Sequence, residues 1–235
     1  MNRRTVMVTG AAGHLGKAVA ATFANQGARL VLLDRQQAAL EAAFGATFSG
    51  QVEWLNVAAD LLDGAQTGAA VAAAVERFGR IDVLCHLAGG FRMGEPVHQT
   101  RDADWDFLFD INTRTLLNIT RAVVPQMMAS GGGKIVTVGA FAAQRGVANM
   151  GAYVAAKSAT IRLTEAMSAE LREHHINVNC VLPTIIDTPE NRAAMPDADP
   201  ARWVAPAALA EVIAFLASDA ARAVHGAALP VSGLS

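Results

Sequence analysis

Short runs of aliphatic and β-branched residues alternate along the chain with longer, alanine-rich segments that have the period of a helix. This alternation predicts βαβ units, because a crossover of a dozen or more residues brings the next strand back parallel to the first. Strands are predicted at 5–8, 30–33, 52–55, 83–87, 134–138, 176–181 and 228–231, and helices near 14–26, 36–44, 64–78, 103–129, 151–174 and 207–217. The expected fold class is α/β, a doubly wound parallel sheet of seven strands with helices on both faces.

Residues 1–235 are expected to form one domain, because no linker rich in Pro, Gly, Ser or charge interrupts the middle of the chain. Hydrophobic residues make up 52% of the chain and charged residues 17%, which favours a large buried core over disorder. The stretch 184–205 carries three prolines and is predicted to be a loop with short helical turns that acts as a substrate lid.

Charge and hydropathy exclude several classes of partner. A net charge of −2 provides no field for nucleic acid or anionic lipid, and each apolar run is interrupted before the roughly 18 residues that a membrane-spanning helix needs. The N-terminal apolar run is broken too early for a signal peptide, so a cytoplasmic location is expected. Cys85 and Cys180 fall in predicted strands, which indicates reduced core thiols, and no His, Cys, Asp or Glu spacing predicts a metal site.

A glycine-rich loop, Thr9-Gly-Ala-Ala-Gly-His-Leu-Gly16, directly follows the first predicted strand and opens the first helix. Glycines at these positions allow a tight turn, a close approach to a pyrophosphate and close packing of helix on strand, while the helix N-terminus attracts the anion. The loop therefore predicts a dinucleotide-binding Rossmann fold. The expected contacts are Gly10, Gly13, His14, Leu15 and Gly16.

Asp34 ends the second predicted strand, where a carboxylate can accept hydrogen bonds from both hydroxyls of the adenosine ribose. A carboxylate at this position repels a 2′-phosphate, so NAD(H) is favoured as the cofactor. The neighbouring Arg35 is able to bind that phosphate, which leaves NADP(H) as the alternative.

Tyr153 is the only tyrosine in the chain, and Lys157, one of three lysines, follows it by four residues. This spacing places both side chains on one face of a helix. At about 5 Å and an effective dielectric constant near 20, an ammonium stabilises a phenolate by roughly 3 kcal/mol, or about 2 pKa units. Tyr153 is therefore predicted to titrate within reach of physiological pH and to act as a general acid or base.

Together with Leu87-Ala-Gly-Gly90 and with Asn112 in Asp-Ile-Asn, these motifs resemble the short-chain dehydrogenase/reductase family. The resemblance implies that Tyr153 is the acid/base, that Lys157 binds the nicotinamide ribose, and that Asn112 holds a water of the proton relay. It also implies a homodimer or homotetramer. Further cofactor contacts are expected from Asp60, Leu61, Ala88, Gly89, Gly90, Pro183, Ile186 and Thr188.

Two residues depart from the family pattern. His14 occupies the second glycine position, and Ala140 stands where the catalytic serine is usual, while Thr137 is expected to point to the other face of its strand. The alanine, with Leu182-Pro-Thr-Ile-Ile-Asp-Thr-Pro and the residues after it, resembles dihydropteridine reductases, which reduce a quinonoid pterin. Ala140, Phe91 and Trp203 are the predicted substrate contacts.

These features predict an NAD(P)(H)-dependent oxidoreductase that transfers a hydride between nicotinamide and a small C=O or C=N substrate, with the quinonoid pterin class included. The missing serine leaves one alternative, a dinucleotide-binding sensor or scaffold with little or no turnover. Substrate-dependent oxidation of NADH distinguishes the two hypotheses.

Overall fold

The computed structural model describes residues 3–45 and 52–235. Seven parallel strands form one sheet in the order β3-β2-β1-β4-β5-β6-β7, which confirms the predicted fold class. The strands are β1 (Thr5–Thr9), β2 (Arg29–Asp34), β3 (Trp54–Ala58), β4 (Val83–His86), β5 (Gly133–Val138), β6 (Ile176–Pro183) and β7 (Ala228–Val231).

The described residues contain eight α-helices. They are α1 (His14–Asn25), α2 (Gln37–Phe44), α3 (Gly64–Phe78), α4 (Asp102–Phe109), α5 (Thr115–Ala129), α6 (Gly151–Leu171), α7 (Pro189–Ala194) and α8 (Pro206–Leu216). Of these, α1, α2 and α8 pack on one face of the sheet and α3 and α5 on the other. Alternate residues of β1 face opposite cores: Val6 and Val8 pack with α1, α2 and α8, whereas Met7 packs with α3 and α5. None of these helices is long and apolar enough to cross a membrane.

Two predicted elements need correction. The third strand covers Trp54–Ala58 rather than 52–55, because its register against β2 carries it past Asn56, a poor strand former, as far as Ala58. The helix predicted over 103–129 is divided by a π-helical turn at Asp110–Arg114. Here the Leu108 carbonyl oxygen accepts a 2.9 Å hydrogen bond from the Asn112 side-chain amide, which competes with the regular α-helical pattern.

The strand order reverses between β1, which continues to β2, and β4, which continues to β5. In doubly wound sheets such a reversal opens a crevice at the carboxyl ends of the strands, and ligands bind there. The glycine loop after β1 and the Leu87-Ala-Gly-Gly90 segment after β4 both lie at this edge. The fold therefore brings the sequence motifs together.

Candidate active site

The glycine loop has the backbone geometry that a phosphate cradle requires. Gly10 has φ +63°, and a Cβ atom there would lie only 3.0 Å from the Ala88 backbone nitrogen. A Cβ at Gly16 would overlap the carbonyl oxygens of Gly10 and Ala11. Gly13 precedes α1 and has no side chain to cap it, so the first N–H groups of the helix remain available to an anion. The loop thus fits a pyrophosphate.

Asp34 lies at the carboxyl end of β2 and faces this loop. Its Oδ2 accepts a hydrogen bond from the Ala12 backbone N–H at 3.1 Å, and its Oδ1 accepts one from the Arg35 N–H at 2.8 Å. Both oxygens retain acceptor capacity, since a carboxylate offers about four lone-pair positions. The carboxylate is therefore placed where a ribose diol beside the pyrophosphate cradle can donate to it.

The hydroxyl of Thr9 joins the ends of β1 and β4. It accepts hydrogen bonds from the Leu87 and Ala88 backbone N–H groups at 3.1 and 3.3 Å, and it lies 3.0 Å from Nδ1 of His86. Burial, with a further contribution from the Lys157 charge, lowers the pKa of His86 to about 3. This buried neutral imidazole helps to hold the two strand ends in place, and sequence reasoning assigned it no role.

Asn112 lies in the π-helical turn and clamps the segment after β4. Its Oδ1 accepts from the Gly90 N–H at 3.1 Å, and its Nδ2 donates to the Gly90 carbonyl at 3.0 Å. The Asn112 main-chain carbonyl accepts from the Thr160 hydroxyl at 3.1 Å. That carbonyl oxygen has a second lone pair, so a relay water at Asn112 remains a prediction.

Lys157 is buried between β5 and the segment after β4. Its ammonium donates to the Val138 carbonyl at 2.8 Å, and a Cβ at Gly89 would lie 3.1 Å from Nζ and 2.9 Å from Oδ1 of Asn112. Burial lowers the pKa of Lys157 to about 8. A side chain at position 89 would displace one or both of these polar groups.

Tyr153 lies one turn before Lys157 on α6 and packs against apolar neighbours, among them Ala140 and the Phe91 ring, which meets it edge-on with centroids 4.8 Å apart. Burial raises the pKa of Tyr153 to about 12. The predicted titration near physiological pH is therefore wrong for the protein without cofactor. The cause is desolvation by these neighbours, which outweighs the attraction expected from Lys157.

The position usually held by a catalytic serine offers no hydroxyl in this chain. Ala140 is buried against Tyr153, Cys180 and Leu182. Thr137 is fully buried and its hydroxyl lies 2.8 Å from that of Thr164, so it does not replace the serine. Cys85 and Cys180 are both buried free thiols, as predicted.

A cavity of about 430 Å³ opens beside Tyr153. Sequence reasoning missed most of its lining, which includes Arg92, Arg101, Asp104 and Asn149; the one available signal was that Arg92 directly follows Phe91. Phe91 is half exposed and does not itself line this cavity, so its predicted substrate contact remains a prediction. The size falls within the range of small-molecule sites.

The 184–205 stretch contains α7 and one isolated parallel β-bridge, between Ile186 and Val204. Thr188 caps α7 by accepting from the Asn191 N–H at 3.3 Å, and Glu190 lies 3.2 Å from Nε2 of His14 in the glycine loop. The segment therefore contacts the cradle.

For three other predicted contact residues the structure gives a position but does not test the predicted contact. Trp203 is buried in the structure, so its predicted substrate contact remains a prediction. Asp60 accepts from the Leu62 N–H at 2.9 Å, and Leu61 is buried beneath α3 and α5. Their contacts with the adenine remain predictions as well.

A family model for short chain dehydrogenases matches residues 4–199. The chain belongs to this short-chain dehydrogenase family. Levodione reductase from Leifsonia aquatica is 32% identical over 98% of this chain and 93% of its own length. Relatives that are named as reductases and dehydrogenases support the assignment of this chain as an NAD(P)-dependent oxidoreductase.

Two solved structures of short-chain dehydrogenases bear on the cofactor. Carveol dehydrogenase from Mycobacterium avium in complex with NAD is 27% identical, with a TM-score of 0.91 over 99% of this chain and 97% of that one. L-sorbose reductase from Gluconobacter frateurii, complexed with NADPH and L-sorbose, is 27% identical, with a TM-score of 0.90 over 99% and 96%. These complexes support a nicotinamide cofactor for this chain. One of them holds NAD and the other NADPH, so they do not distinguish between the two cofactors.

Proposed function

We propose that the protein transfers a hydride between NAD(H) and a small carbonyl or alcohol substrate, with Tyr153 as the proton donor and acceptor. The observation that carries this proposal is the convergence of Tyr153, Lys157, Asn112 and the glycine loop at the switch point of the sheet. A bound nicotinamide supplies or accepts the hydride. The sensor or scaffold alternative is not favoured, because the relatives carry the names of dehydrogenases and reductases.

Each residue has a distinct part in this proposal. Tyr153 borders the reaction cavity, and its phenol, which is protonated at neutral pH, donates a proton to a carbonyl oxygen during reduction. Lys157 binds the nicotinamide ribose from the position fixed by the Val138 carbonyl. Asn112 fixes the Gly90 backbone and offers its carbonyl to a relay water.

The preference for NAD(H) rests on Asp34. Its carboxylate faces the glycine loop, where it binds a ribose diol and repels a 2′-phosphate. The cavity would also take a quinonoid C=N substrate such as a pterin. Ala140 favours this second candidate, because a substrate without a developing alkoxide does not need the serine hydroxyl. We also propose a cytoplasmic homo-oligomer, with the 184–205 stretch as the substrate lid of a single domain.

The test is NADH oxidation with a panel of activated ketones, quinones and quinonoid pterins, on the wild type and on Tyr153→Phe. We expect Tyr153→Phe to keep its NADH affinity within a few-fold and to lower kcat by at least about 100-fold, because only the proton donor is lost. Unchanged turnover in the variant would refute the role of Tyr153. Tight NADH binding with no turnover of any compound would instead support the alternative, a dinucleotide-binding sensor or scaffold.

A further inference from the structure

The reaction cavity carries two arginines that the proposed hydride transfer does not use. Arg92 directly follows Phe91, which packs against Tyr153, and Arg101 immediately precedes α4. Both arginines line the same cavity as Tyr153. A substrate in this cavity is therefore bordered by both guanidinium groups and by the tyrosine.

One carboxylate, Asp104, holds both guanidinium groups. Arg92 Nη1 donates to Asp104 Oδ1 at 2.6 Å, and Arg101 Nε donates to Oδ2 at 2.7 Å. The hydrogen bonds from Arg92 and Arg101 hold the pKa of Asp104 below its ordinary value, so this side chain stays charged. The Arg92 guanidinium also lies 3.8 Å from the centre of the Phe107 ring, which fixes its orientation.

This arrangement leaves guanidinium hydrogen-bond donors in excess of the acceptors that Asp104 offers. Each guanidinium carries five N–H donors, and a single carboxylate occupies only a few of them. The Arg92 and Arg101 side chains are 47% and 69% exposed, so their remaining donors are accessible. Glu95 is the other acidic residue in the lining and is exposed, so the formal charges of the lining cancel. The attraction of this wall for an anion therefore comes from the free guanidinium donors and not from a net charge.

We propose that Arg92 and Arg101 form a subsite for an anionic group of the substrate, so that the enzyme prefers small oxo or hydroxy carboxylates to neutral carbonyl compounds. This inference rests on the proposed function and names its substrate class. Met93 lines the cavity and supplies apolar surface for the carbon skeleton. Contacts with Asp104 and Phe107 already orient the planar guanidinium of Arg92. Binding a carboxylate there therefore costs little additional side-chain entropy.

The test compares levulinate and its next two methyl-ketone homologues with their methyl esters, which keep the ketone and remove the charge. In the wild type, kcat/KM for the best acid should exceed that of its ester by about 10-fold or more, the value of a charge-assisted hydrogen bond. In Arg92→Gln this ratio should fall to within about 3-fold of unity, mainly through KM for the acid. Arg92→Lys should give an intermediate ratio, because it keeps the charge and loses the fork.

Two controls make the result specific. Arg162→Gln removes an arginine that is as exposed as Arg101 and is paired with Glu165 at 2.8 Å on α6, and it should leave the acid-to-ester ratio unchanged. Arg101→Gln provides a second variant within the subsite and should lower the ratio as Arg92→Gln does. Melting temperatures establish that each variant is folded.

Calorimetric titration of the same acids and esters separates this inference from the proposed function. Tighter binding of the acids that is lost in Arg92→Gln supports the subsite even if no compound is turned over, in which case the proposed reaction fails alone. Turnover of the esters as efficient as that of the acids, or equal affinities for both, overturns the subsite and leaves the proposed reaction intact.

Discussion

Replacing Lys157 with methionine tests how strongly the fold desolvates the site. The side chain is 6% exposed, and burial lowers its pKa from 10.5 to about 8. The unfolded chain therefore binds more protons than the folded chain between these two pKa values, so the free energy of unfolding rises with pH through that window. At pH 7 the buried ammonium costs the folded state about 3 kcal/mol.

Lys157→Met removes that cost and also leaves the Val138 carbonyl without the ammonium donor, which costs about 1–3 kcal/mol. We expect a variant that is inactive yet as stable as the wild type at pH 7, or more stable by up to about 2 kcal/mol. The sharper expectation concerns pH. The free energy of unfolding of the variant minus that of the wild type should decrease by about 2 kcal/mol between pH 7 and about pH 9.5, as the wild type loses its penalty.

The assay is urea denaturation followed by tryptophan fluorescence, without cofactor and at one protein concentration. Lys17→Met serves as the matched control: Lys17 is exposed on α1, so its substitution should produce a small difference that does not depend on pH. A Lys157→Met difference that stays constant with pH would show that burial does not lower the lysine pKa in the folded protein.

Three further predictions concern the cofactor cradle and the missing serine. Gly16→Ala should abolish NADH binding and lower Tm, because its Cβ would overlap backbone oxygens, and a variant that keeps both its NADH affinity and its Tm would contradict the proposed phosphate site. The control is Gly68→Ala on α3, where a Cβ meets nothing within 4 Å, and it should be neutral or stabilising by up to about 1 kcal/mol. Asp34→Ala should raise the ratio of kcat/KM for NADPH to that for NADH, and a wild type that already prefers NADPH would assign the choice to Arg35. Ala140→Ser should modestly raise kcat/KM for an activated ketone and leave pterin reduction nearly unchanged, so a gain on the pterin alone would refute our account of the alanine.

Patterns that are local in the sequence determined the architecture. The alternation of strand and helix periods predicted seven parallel strands, and the glycine loop located the crevice, because hydrophobic period and backbone freedom are properties of consecutive residues. The spacing of Tyr153 and Lys157 likewise placed both on α6. The boundaries were less accurate: pairing with β2 decided where β3 ends, and a side-chain hydrogen bond from Asn112 accompanies the interruption of the long helix.

The tertiary structure alone decided the electrostatics of the site and the lining of its cavity. Tyr153 has a raised pKa because residues distant in sequence, such as Phe91, remove it from water, a term that the Tyr153–Lys157 spacing does not contain. The hydrogen bonds that join Asn112 to Gly90 and Arg92 to Asp104 form only after the chain has folded. Charge stabilisation depends on which atoms surround a group in space, and for these residues that environment is assembled from separate loops and helices.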